Sequence, residues 1–271
     1  MLARWRQHWR LYWRTRRESA ALQRRAIPDD LWKRTLVRFP FLQRKDPAAA
    51  AELRRLTSLF LDRKEFSTAG GLRLSDAMAV SIAAQAVLPV LRLGLQRYDG
   101  FVGIVVHPEQ VLAQREVADE DGVVHAYGEL LSGEAMEGGP VMLSWSDVRG
   151  AGRSAAIGYN VVIHEFAHVL DMADGVANGM PLLPAEIPRA EWQALLEAEY
   201  TRFARRVVAE EDTALDPYGA EAPEEFFAVS SEAFFVSPVE MQNEHPAWYG
   251  MLVRYYRQDP AADQPPVRRG A

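Results

Sequence analysis

Asn160-Val161-Val162-Ile163-His164-Glu165-Phe166-Ala167-His168-Val169-Leu170-Asp171 is the stretch that decides the reading of this chain. Its centre has the pattern His-Glu-x-x-His. On a helix, residues four apart share a face, so His164 and His168 can each aim an imidazole nitrogen at one metal ion. Glu165 lies one residue further round. It cannot share the ligand direction, but it can reach a water on that metal and act as general base. A chance match to the three fixed positions is about one in a hundred for a chain of ordinary composition. The flanks Val161, Val162, Ile163, Phe166, Ala167, Val169 and Leu170 are apolar nearly all round, which predicts a buried helix. Two His and a Glu inside such a helix cost desolvation free energy unless something satisfies them. The plainer alternative is a pair of core histidines bonded to backbone with Glu165 as their partner, and the rarity of the pattern weighs against it.

The totals set bounds around this helix. At 271 residues there is room for one large domain or two small ones. A hydrophobic fraction of 48% supplies a globular core, and no apolar run approaches the length that spans a bilayer. There are no cysteines, so disulfides and thiolate ligands are excluded and a metal must take His or carboxylate. The same absence fits a reducing compartment. The net charge of −6 argues against nucleic acid as a direct partner. Residues 1–26 carry eight Arg and one Glu, a net of +7, which leaves −13 for the remainder. The start lacks the apolar core of a secretory signal, so the expected location is cytoplasmic.

In chain order, residues 1–26 read as a basic helix with Trp5, Trp9 and Trp13 in a stripe. The favoured reading packs that stripe on the chain's own acidic domain; the functional one docks it on an anionic membrane surface or an acidic partner. Residues 28–97 look helical throughout, with Ser75 as N-cap of a buried helix over 77–88 and a turn at Gly70-Gly71. No catalytic group stands out there. From Asp99 the period changes: strands are expected at 101–106, 111–117, 123–131 and 140–145, the last directly before the motif. Helices, then a sheet, then helices indicate α+β rather than repeated βαβ units. A strand within 133–145, entered through Gly138-Gly139-Pro140, could offer an edge for an extended peptide; an ordinary core strand fits equally well. Gly175 is a helix stop. Asp171, one turn beyond His168, is placed to orient a His ligand through the second ring nitrogen. Residues 188–208 read as a solvated amphipathic helix. Pro223 opens another helix, Pro246 a third, and the 258–271 tail is expected to be disordered.

Two His do not complete a catalytic zinc site, which usually takes three protein ligands and a water. His107, His125 and His245 are isolated. The helix opened by Pro223 is the better source: it is apolar apart from Glu224, Glu225, Ser230, Ser231 and Glu232. Glu225 and Glu232 are two turns apart and share a face. Periodicity alone does not choose between them.

The sequence around these residues resembles a known family. His164 to Asp171, Tyr218-Gly219 and Glu225-Phe226-Phe227-Ala228 are similar to the Mlc titration factor A family of zinc peptidases, relatives of the catalytic domain of anthrax lethal factor. Further matches are Ile27-Pro28, Phe66-Ser67-x-x-Gly70-Gly71, Ala83-Ala84-Gln85-Ala86, Tyr98-Asp99, Ser132-Gly133-Glu134 and the run from Gly139 to Trp145. The resemblance covers most of residues 27–257. It implies a zincin-like α+β fold with an N-terminal helical part (27–97), a mixed sheet and metal-site helices (98–257). It implies Zn2+ held by His164, His168 and Glu225, with Glu165 as base and Tyr218 as an active-site tyrosine seven residues before Glu225. Glu232 would then stand behind the ligands or be structural. The implied activity is peptide hydrolysis, in an aminopeptidase mode. The alternative is a regulator that binds and sequesters a Mlc-like transcriptional repressor, with or without catalysis.

Overall fold

The computed structural model describes residues 16–44, 46–118, 124–131, 133–136, 138–154 and 158–263, with backbone alone at 111–118, 124–131 and 153–154. The Trp5, Trp9 and Trp13 stripe lies outside the described residues. What is described of the basic segment is helical, residues 16–24 (α1). It is held to the body by buried Ala21 and by two ion pairs, Arg24–Asp62 at 3.0 Å and Arg55–Glu18 at 3.3 Å.

Helices α2 (Asp29–Arg38), α3 (Pro47–Arg63) and α4 (Asp76–Val87) follow. Their starts have local causes. Asp46 accepts from the Ala48 and Ala49 amides with Pro47 in the first turn, and Ser75 accepts from the Met78 amide. Gly70 and Gly71 both have positive φ, so the turn expected there is present. The reading of 28–97 as wholly helical needs correction: Glu65–Thr68 is a strand, β1. Four residues with one apolar side chain are too short to carry a period of two, and the strand exists because it pairs in parallel with β2 (Gly103–His107). Strand β1, helix α4 and strand β2 thus make a single crossover unit, which does not repeat.

Strands β3 (Val111–Ala118) and β4 (Val124–Leu131) form an antiparallel hairpin of their own. The main sheet has the order β1-β2-β6-β5, with β5 (Gly133–Ala135) antiparallel to β6 (Val141–Ser144) and the other pairs parallel. Strand β6 is therefore paired on both sides, by Ile104↔Val141 and Ala135↔Val141 among others, and offers no edge; the edge belongs to β5. Helix α5 (Trp145–Ser154) starts where the last strand was expected to end and stands between it and the motif. The apolar run ending in Trp145 hid that boundary.

The motif is helix α6 (Val161–Asp171), continued by a 3-10 turn to Asp174 and stopped by Gly175 at φ 92°. Phe166 fixes its buried face by edge-on packing against Tyr98 and Phe101 and tilted packing against Phe60, at centroid distances of 5.0, 5.6 and 5.7 Å. Helix α7 (Arg189–Val208) is the expected outer helix, with Trp192, Leu196 and Phe203 turned inward. Helix α8 (Pro223–Val236) is buried from Phe226 onward and packs on α6, which brings its carboxylates to the motif. Helices α9 (Pro238–Glu244) and α10 (Pro246–Tyr256) close the aromatic core through Trp248 and Tyr255 around Trp192. The tail opens with a helical turn, α11 (Pro260–Asp263), of which Pro260 is buried; the residues after it lie outside the described set. Among the described residues no helix is long and apolar enough to cross a membrane.

One ion cluster ties α7 to the end of α9. Glu199 Oε2 lies 2.8 Å from Nδ1 of the fully buried His245 and also accepts from Arg202. Burial pushes the Glu199 carboxyl up, but His245 and Arg202 overcome it and hold the group below its ordinary value. A depressed carboxylate stabilises the fold above its unfolded pKa, and that contribution is lost as pH falls through the folded value. Glu199→Gln is expected to cost about 1.5–3 kcal/mol at neutral pH. Thermal midpoints of both proteins from pH 7 to pH 3 check this: their difference should shrink once pH drops below the ordinary Glu range.

Candidate metal centre

Asn160 starts the site. It caps α6, its Oδ1 accepting from the Ile163 amide at 3.0 Å, and its Nδ2 donates to Gln85 Oε1 at 2.9 Å. Its own amide donates to Glu232 Oε2. Glu232 Oε1 in turn lies 2.7 Å from His164 Nδ1. Gln85, Asn160 and Glu232 are buried and His164 is half-buried at the cleft, and α4, α6 and α8 each contribute to this chain of bonds. The consequence falls on His164: with Nδ1–H donated to Glu232, the Nε2 lone pair is left to face the cleft.

Three such atoms meet in the cleft. His164 Nε2 and His168 Nε2 are 3.1 Å apart, and Glu225 Oε2 is 3.1 Å from the first and 3.3 Å from the second. These residues are the group of His and carboxylate ligands that could hold a metal ion among the described residues. Ligands about 2.0–2.1 Å from a tetrahedral zinc lie roughly 3.3–3.4 Å from one another, so the spacing suits such an ion. Glu225 Oε2 is buried with no hydrogen-bond partner in acceptable geometry among the described residues, an arrangement that a cation would satisfy.

The charges are tuned by the same neighbours. Burial alone would lower the His164 pKa, but the Glu232 carboxylate and the contacts to Glu225 outweigh it and raise it well above normal. Burial pushes Glu225 up, yet the two imidazoles hold it down, to about 2. Glu165 goes the other way: it is 5% exposed, and burial raises its carboxyl above the ordinary range despite both histidines. Strand β5 crosses directly over it. A Cβ on Gly133 would lie 2.5 Å from Glu165 Oε1 and 2.6 Å from its Cγ, so any side chain there would have to displace Glu165.

Tyr218 lies in the 3-10 turn Pro217–Ala220, capped by Asp216, and its ring is 6.0 Å from that of His164. It is 39% exposed on the open side of the cleft. The structure thus brings together His164, His168, Glu225, Glu165 and Tyr218, and it places the two glutamates that periodicity could not distinguish differently: Glu225 beside both Nε2 atoms, Glu232 at His164 Nδ1. Asp171 is a correction. It does not hold a His ring: its Oδ2 accepts from the Asn178 and Gly179 amides at 2.9 and 2.8 Å and ties down the loop after α6. The residue standing behind a histidine is Glu232 instead. Gln85 and Gly133 were missed as site residues. The signals available were a lone amide in an otherwise apolar helix and a glycine at the start of a short strand.

An α+β protein with a His-Glu-x-x-His helix beneath a sheet edge, and a carboxylate from a second buried helix beside it, has the form of a metallopeptidase. The comparison with known families agrees: residues 11–257 match the family described as glucose-regulated metallo-peptidase M90, and the chain belongs to it. It is 40% identical to the Mlc titration factor A of Edwardsiella ictaluri over 193 residues, 70% of this chain and 72% of that protein. It is 36% identical to the one from Serratia proteamaculans over 234 residues, 85% of this chain and 88% of that one. An uncharacterized protein of Synechocystis sp. is 34% identical over 252 residues, 92% of this chain and 90% of its own length.

Proposed function

We propose that the protein is a zinc-dependent peptidase of zincin-like fold, in which His164, His168 and Glu225 hold the ion and Glu165 is the general base. The observation that carries this reading is the convergence of three ligand atoms at 3.1–3.3 Å beside a buried carboxylate of raised pKa. Bound there, zinc would lower the pKa of a water toward neutrality and polarise a substrate carbonyl. Glu165 takes the proton from the attacking water and passes it to the leaving amine; a raised pKa suits both steps. Tyr218, on the open side, donates its hydroxyl to the developing oxyanion. The edge of β5 pairs with the extended substrate backbone and aligns it over Glu165. The continuous core running from Ile27 to Tyr256 supports one peptidase domain over residues 27–257, with 1–26 and 258–271 as appendages that touch this core through Ala21 and Ala261.

Elemental analysis of the purified protein, with hydrolysis assays on free and N-blocked peptides, tests the proposal. The expected result is about one zinc per chain and cleavage that a chelator abolishes. Cleavage of free peptides only would support the aminopeptidase mode. A folded protein that neither carries zinc nor can be reconstituted with it would overturn the reading. A second reading draws on the names of the relatives: the chain would bind a Mlc-like repressor, and a pull-down with such a repressor would detect it.

Gly133→Ala gives a further expectation. The added methyl displaces Glu165 while leaving the three ligands in place, so kcat/KM should fall by about 10²-fold, the scale of a misplacement near 1 Å. Zinc content should not change, and the two measurements together distinguish a displaced base from a lost metal.

A further inference from the structure

Beyond the metal cleft lies a cavity of about 450 Å3, within the usual range of ~300–1,000 Å3 for ligand sites. We propose that it receives one bulky apolar side chain of the peptide substrate, such as Leu, Phe or Met; the inference deepens the peptidase reading and rests on it. Three observations carry it.

The first is position. Val169 and Met172 in its wall follow His168 on the same helical segment, and Met136 is the residue directly after the edge strand β5. A peptide aligned along β5 would pass from the ligands to this opening. The second is chemistry. Phe101, Met136, Val169, Met172 and Leu182 supply an apolar lining, and among the described residues no carboxylate lines the cavity to pair with a Lys or Arg side chain. Arg97, the one cation among the described lining residues, donates to the Leu182 carbonyl at 2.8 Å and so fastens the wall. The third is exposure. Of the eight large apolar side chains exposed among the described residues, two line this cavity. They are Met136 and Leu182, and Val102 and Val176, also exposed, directly follow the lining residues Phe101 and Gly175 in the chain. Exposed apolar side chains at the mouth of an apolar cavity are left to water unless a ligand covers them.

The test uses labelled Ala/Gly peptides carrying a single Leu or Phe at successive positions, with Ala at the same position as reference. Binding is read by fluorescence anisotropy on the zinc-loaded full chain carrying Glu165→Gln, and hydrolysis on the wild type. At one position the bulky residue should tighten binding by about tenfold or more, the order expected for burying such a side chain. Leu182→Trp fills the cavity and Met136→Ser makes its mouth polar; both side chains are partly exposed, and each substitution should reduce that preference severalfold. Absence of any preference, or a preference that survives both substitutions, overturns the proposal. Hydrolysis without preference removes the cavity's role alone. A preference that the substitutions reduce, with no hydrolysis by the wild type, sustains the cavity and removes the peptidase reading.

Discussion

Glu165→Gln is expected to lower kcat/KM for peptide hydrolysis by about 10³–10⁴-fold, the upper range for losing a general acid–base group, while zinc remains at its wild-type level. The argument starts from burial. Glu165 is 5% exposed and its pKa is raised, so near neutrality its carboxylate binds a proton more readily than an exposed one. Gln has nearly the same shape, so the packing under Gly133 is kept, but an amide cannot accept the proton. None of the three converging ligand atoms belongs to residue 165, so the ion should stay. Steady-state kinetics and elemental analysis on the same preparation are the check. Activity within tenfold of wild type would remove Glu165 from the chemistry. The same variant should still bind a repressor if sequestration is a separate role, and loss of both together would argue that the two are one.

The residues that made the site legible are those whose signal is local. Ser75 and Asn160 stand at helix starts, Pro223 and Pro246 open helices, and the His spacing in α6 is itself a helical fact. The site's supports were harder to read because they depend on partners distant in sequence. Strand β1 is defined by its register with residues 103–106, and the edge passes from β6 to β5 because β2 occupies the other side of β6. Gln85 carries no local sign of its place in the site, because the Asn160 side-chain amide that meets it lies 75 residues later. Asp171 was misread for a similar reason. Helical spacing put it on the right side for a histidine, but it could not show that the Asn178 and Gly179 amides would reach the carboxylate first. Glu225 and Glu232 share a face, as the spacing says. What divides them is depth: Glu225 meets the cleft with 18% of its side chain exposed, and Glu232 lies beneath it with 2%.

That difference in depth predicts two different metal phenotypes. Glu225→Ala removes one of three ligands and leaves two imidazoles, so the purified variant should carry essentially no zinc and show no hydrolysis. Glu232→Gln should keep zinc but bind it about 10–100-fold more weakly, the range for groups that orient a ligand. The reason is a count of acceptors. Two donors face Glu232, the Asn160 amide at Oε2 and the His164 Nδ1–H at Oε1, and each oxygen serves one of them. A glutamine side chain has a single oxygen, and its NH2 group meets the remaining donor head-on. Either His164 loses the bond that turns Nε2 toward the cleft, or α6 loses part of its hold at Asn160. Competition titrations with a zinc chelator measure both variants on one scale, and circular dichroism confirms that each is folded. If Glu232→Gln loses all zinc while Glu225→Ala retains it, the two carboxylates have exchanged roles and the ion sits on the other side of His164.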